Sequence, residues 1–133
     1  VSMSVDRRVR ALLEVSAQDL LAVRLLAAAS NRNAAYLCQQ AAEKLVRVVL
    51  AHRGVDANRE HHLSVLVALL PAGDVWRARL EPLDRLSPFA TTCRYPTPGG
   101  RVPASPAVEV VLKDAAEIEH LLALAHAELL GGP

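Results

Sequence analysis

Gln39-Gln40-Ala41-Ala42-Glu43-Lys44 stands in the middle of the most apolar helical run of the chain, and Arg94-Tyr95-Pro96, far along the sequence, opens a loop rich in Gly and Pro. Two glutamines, a carboxylate and an ammonium are costly to bury unless they are paired or face a groove. The first segment therefore reads as part of a central helix flanking a polar groove, and the second as a loop within reach of it.

Working outward from the first segment, Ala34 to about His52 reads as helix, with Leu37, Cys38, Ala41, Ala42, Leu45, Val46, Val48 and Val49 apolar around most of the circumference and Arg53-Gly54 closing it. Its polar residues Tyr36, Gln40, Glu43 and Arg47 are spaced four, three and four apart and so share one side. That stripe is either a solvated edge carrying a Glu43–Arg47 pair, worth about 0.3 to 0.5 kcal/mol, or the wall of a groove. Upstream, Asp6 is placed to cap a helix on which Val9, Leu12, Leu13, Leu20, Val23 and Ala27 recur at helical steps as far as Ser30, and Asn31 and Asn33 mark the turn.

Downstream, His61-His62 leads into a short helix carrying Leu63, Leu66, Val67 and Leu70. Asp74 starts a further helical stretch with Trp76, Leu80, Leu83, Leu86 and Ala90 on one face, which Pro82 and Pro88 are expected to break or kink. Tyr95 to Ser105, with Pro96, Pro98, Gly99, Gly100 and Pro103, excludes regular structure. Ser105 and Pro106 are placed to open a last helix, whose Val108, Val111, Ala115, Ile118, Leu122, Ala125 and Leu129 form a long apolar seam that packs inside the fold or reaches a second subunit; Gly131-Gly132-Pro133 ends it. The expectation is one all-α domain over residues 1–133, an antiparallel bundle of four main helices plus one short helix.

Composition narrows the function classes. The 133 residues are 52% hydrophobic and 22% charged, as in a folded globular chain. A formal charge of +1 gives no general basic field for an extended duplex, although a local basic site is compatible with it. Cys38 and Cys93 lack zinc or disulfide spacing. Two histidines six apart on the last helix, His120 and His126, do not align for a metal, and no metal or cofactor is expected. With no apolar run of roughly 20 residues and no cleavable signal before the first helix, a soluble protein of the reducing cytoplasm is expected.

The chain resembles the HEPN domains over nearly its whole length. The resemblance rests on Asp19-Leu20 in the opening helix, Tyr36 followed by Gln39-Gln40-Ala41-Ala42-Glu43-Lys44, His61-x-Leu63-x-x-Leu66, and Arg94-Tyr95-Pro96 before a loop and a final helix. It departs from similar sequences at Thr97, where an acidic residue is common, and at His62, where a small polar or acidic residue is common. What the resemblance implies is a compact helical bundle, often dimeric, often encoded beside a small nucleotidyltransferase, with some members acting as toxins in toxin–antitoxin pairs. The chain has no Gly-Ser motif followed by paired aspartates, so transferase chemistry would come from a separate partner.

Three readings follow. In the first, a nucleotide or RNA is bound in the polar groove by Gln40, Glu43, Lys44, Arg47, His61, Arg94, Tyr95 and Arg101. There Arg94 grips a phosphate, Lys44 adds a point charge, Tyr95 offers a stacking face, and Gly99 and Gly100 present amides beside Arg101. In the second, the protein is a metal-independent ribonuclease, as the resemblance allows. The family's catalytic pattern of an Arg, four to six residues and a His finds a literal match at Arg47 and His52, with His61 as a further candidate base. With 13 arginines and five histidines in 133 residues such a match also arises by chance. In the third, the protein is a purely structural dimer whose polar groove fixes helix register.

Overall fold

The computed structural model describes residues 3–131, so Gly132 and Pro133 of the expected closing segment lie outside the described residues. It contains six α-helices and one 310 segment, and no strand among the described residues: α1 (Met3–Ala28), α2 (Asn33–His52), α3 (Leu63–Ala68), α4 (Val75–Leu80), the 310 segment Glu81–Leu86, α5 (Pro88–Thr91) and α6 (Val108–Leu129).

α2 is the hub, as its all-round apolar sequence requires. Thirteen of its residues are buried, and every other helix except α4 packs against it. α1 returns along it, and the buried Ser16 hydroxyl donates to the Ala41 carbonyl across the two helices at 3.0 Å. α6 begins beside the α1–α2 turn, where Val108 and Val111 lie near Ala27 and Ala34, and ends at the far end of α2, where His52 bonds the Leu129 backbone. It thus runs antiparallel to α1 and in the same direction as α2. The long connection from Arg53 to Ala107 makes this possible, and it carries all the short helices.

The apolar seam of the last helix is used internally. Val111, Ala115, Ile118, Leu122, Ala125 and Leu129 are all buried in the one core cluster. α3 is six residues long, too short to stand alone. Leu63, Leu66 and Val67 hold it by burying their side chains, at about 1.5 to 3 kcal/mol for each large one.

Helix boundaries follow local chemistry, with two departures from expectation and, at Pro82 and Pro88, the expected break. Asp6 lies inside the first turns of α1 and pairs with Arg10 at 2.8 Å, so it is not the cap. α6 starts at Val108, with Ala107 before it and no side-chain cap from Ser105; Pro106 precedes the helix instead of opening it. The stretch after Asp74 is three pieces. Asp74 caps α4 by accepting the Trp76 amide at 2.9 Å. Pro82, which has no amide to donate, then tightens the next turn to 310, and Pro88 starts the single turn of α5. Leu80, Leu83 and Leu86 still reach the core. Among the described residues no helix is long and apolar enough to cross a membrane.

Candidate functional site

Tyr36, Gln39, Gln40 and Glu43 on α2 form one wall of a pocket of about 370 Å³. His61, His62 and Leu63, at the entry to α3, form the second wall. Ser87, Ala90, Thr91 and Arg94, on and just beyond α5, form the third. Polar groups are tolerated on the central helix because they answer one another. Gln40 Nε2 donates to Gln39 Oε1 at 2.7 Å, while Gln39 itself is only 1% exposed. One Glu43 oxygen, Oε2, accepts from Arg47 Nε at 3.3 Å and from the Nδ1–H of His61 at 3.1 Å.

Arg47 is braced further by the Glu60 carbonyl, and the Glu60 side chain accepts the backbone amides of His61 and His62 at 3.2 and 3.0 Å. The turn presenting His61 is therefore fixed from both sides. With its Nδ1 proton held on Glu43, a neutral His61 ring carries its free lone pair on Nε2, on a side chain that is 73% exposed.

Arg94 has no carboxylate partner among the described residues. Its guanidinium lies 4.1 Å from the centre of the Tyr36 ring and 5.2 Å from that of Tyr95, and its one hydrogen bond is a long 3.5 Å contact to the Ala90 carbonyl. Glu43, the only acid lining the pocket, is already engaged. The loop is stapled by Arg32, at the start of α2, which donates to the carbonyls of Cys93 at 2.6 Å and Pro103 at 3.0 Å. The staple sets where Arg94 leaves the helix. Among the described residues, no group of three His, Cys, Asp or Glu side chains is arranged to hold a metal ion.

Of the residues singled out in the sequence, Gln40, Glu43, His61 and Arg94 line this pocket together. Arg47 stands behind Glu43. Lys44 turns the other way and pairs with Asp19 on α1. Tyr95 is 62% exposed, beside Arg94 and not among the lining residues. Arg101 is exposed in the loop, with its backbone amide on Thr97 Oγ1 at 3.0 Å. His52 is not near the pocket: five residues of helix turn it well away from Arg47, and it sits against Arg53 and the Leu129 backbone, its pKa lowered first by burial and then by the Arg53 charge.

Reasoning from sequence missed Gln39, His62, Ser87 and Thr91 as lining residues, and Glu60 and Arg32 as the groups that position the site. Gln39 stood in the quoted motif and Tyr36 on the stripe. Ser87 and Thr91, on a single turn, carry no periodic signal.

The order of these elements can be compared with known families. The family model of the HEPN domain matches residues 9–125, from the first turns of α1 to the last turns of α6. The chain belongs to the HEPN family. No curated protein and no solved structure matches it. The match takes in the three walls of the pocket of this HEPN domain, the α2 motif, the His61 turn and the segment with Arg94, together with the Arg32 staple. Family membership also points to work on nucleotides or RNA.

Proposed function

We propose that this HEPN protein binds a nucleotide or an RNA end in the pocket between α2, the His61 turn and α5. The observation that carries the reading is Arg94, a guanidinium stacked on Tyr36 at the pocket and unclaimed by any acid. Arg94 holds the phosphate, the Tyr36 side supplies a face for the base, and the half-buried amide of Gln40, backed by the buried Gln39, meets polar base edges. Lys44 and Arg101 stand away from the pocket and have no direct part in this reading.

The partner is a separately encoded nucleotidyltransferase in a toxin–antitoxin pair, and the HEPN protein itself is a homodimer. The family resemblance supports these parts, and the exposed Leu21 and Leu25, four apart on α1, offer the homodimer an apolar face. The test is a calorimetric titration with ATP and with a short single-stranded RNA, repeated with Arg94→Ala. Saturable binding that weakens at least tenfold in the variant is expected. Equal binding by both proteins, or no heat from either ligand, overturns the reading.

The Glu43–His61 contact favours a second reading, metal-independent RNA cleavage. A carboxylate that fixes the Nδ1 proton leaves Nε2 as a base for a 2′-hydroxyl, with Arg94 to stabilise charge on the phosphate. RNA cleavage in chelator that disappears in His61→Ala and persists in His52→Ala supports it; intact RNA in the same assay rules it out.

A further inference from the structure

A second pocket, of about 330 Å³, lies between the first half of α1, the end of α2 and the connection that follows it. Its surface is apolar, supplied by Ala11, Leu12, Val15, Leu50 and Ala57. Among the described residues, the charged ones lining it are two arginines, Arg8 and Arg47. Arg47 is already committed to Glu43 and to the Glu60 carbonyl. Arg8 is exposed and has no ion pair or hydrogen bond among the described residues.

An apolar hollow of this size with a single uncommitted guanidinium is complementary to a molecule with an apolar body and one negative charge. A neutral hydrophobe leaves Arg8 unused, and a polyanion such as a nucleotide would bring charges and hydroxyls onto an apolar floor at a desolvation cost. We propose that this pocket is a binding site for small amphipathic carboxylates, with Arg8 as the group that holds the carboxylate and the α1–α2 hollow taking the chain or ring. The site is separate from the polar pocket and does not depend on what fills that pocket. Arg47 lines this pocket and not the polar one, contributing its positive field here while it holds Glu43 of the polar pocket from behind.

The proposal is tested on the full chain by following backbone amide NMR signals during titration with hexanoate and octanoate, with hexanamide as the uncharged control. Two variants at exposed positions complete the series: Arg8→Gln removes the charge, and Ala11→Phe fills the hollow. Saturable shifts centred on residues 8–15, 47, 50 and 57 are expected. Affinity is expected to drop at least fivefold for hexanamide and for Arg8→Gln, and binding to disappear in Ala11→Phe. The proposal fails if the acids give no saturable shifts. It also fails if hexanamide or Arg8→Gln matches hexanoate with the natural chain, because the hollow then recognises apolar surface alone. Binding retained in folded Ala11→Phe places the ligand elsewhere and overturns it too.

Discussion

At Glu43, one carboxylate oxygen answers two donors, Arg47 and His61, and at Arg94 a guanidinium has no acid to answer it. The contrast separates support from recognition. Glu43 is 8% exposed, so neutralising it withdraws charge-assisted bonds from Arg47 and His61, each bond of this kind contributing about 1.5 to 3 kcal/mol before solvent access is counted. Because His61 and Arg47 both reach water, Glu43→Gln is expected to lower unfolding free energy by about 1 to 2 kcal/mol in urea. Arg94 is exposed and is held by one long bond and its contacts with the Tyr36 and Tyr95 rings. Arg94→Ala is expected to change stability by less than about 1 kcal/mol. Loss of more than about 2 kcal/mol in Arg94→Ala would instead mark the pocket as a structural feature. The sequence made the identities of these residues legible, because polar side chains interrupt an otherwise apolar helix. Their division of labour was not, since it depends on Glu60 and on which way Lys44 turns.

Among the elements, the long helices and the short α3 were readable, and the stretch that follows was readable only as a helix its prolines would interrupt. α1, α2 and α6 declare themselves by apolar period over five or more turns. The 75–91 stretch has the same period, but its two prolines divide the backbone into three short units that keep a common apolar face. The ends of α1 and α2 share one device. In each, the amide three residues past the end reaches back to form the wide turn, Asn31 to Leu26 at 2.8 Å and Val55 to Leu50 at 2.9 Å. The residue between has positive φ. Gly54, at φ 71°, takes this without strain, whereas Ser30 does so at φ 53°. Ser30→Gly is therefore expected to stabilise the protein by about 0.5 to 1 kcal/mol, read from the thermal midpoint.

At the start of α4, the Arg53 guanidinium, 2.7 Å away, holds the Asp74 carboxyl below its usual range, and the Trp76 amide adds to this. A depressed folded-state pKa means the contribution is complete above the ordinary value of 3.8 and is lost as pH falls through the lower folded value. Arg53→Ala is expected to flatten the acid limb of the stability profile below that pH; an unchanged limb would show that Asp74 does not contribute to it.

Across the whole molecule, the most buried ion pair to α6 among the described residues is one that sequence reading did not single out. Arg85, in the 310 segment, donates to Asp114 of α6 through Nε at 3.2 Å and through a terminal nitrogen at 2.8 Å, and also bonds Glu117. Asp114 is 6% exposed, and burial followed by its negative charge pushes the neighbouring Cys38 thiol up to about 12. Arg85→Ala leaves that carboxylate buried and unanswered, at an expected cost of about 2 to 3 kcal/mol in chemical denaturation. The double variant with Asp114→Ala should recover part of the loss. No periodicity links an arginine in a proline-broken segment to an aspartate 29 positions later, so this contact was illegible. The core was legible because each long helix names its own buried face.

The exposed run from Arg94 to Val102 gives the chain a natural seam for division. A protease that cuts after Arg101 would sever covalent continuity where nothing is buried, while Arg32 still grips the backbone on both sides of the cut, at Cys93 and Pro103. α6, with its buried face intact against α1 and α2, then stays in place as a severed strip of the core. On that account two fragments divided at Arg101 are expected to recognise each other, one of them little more than a single helix.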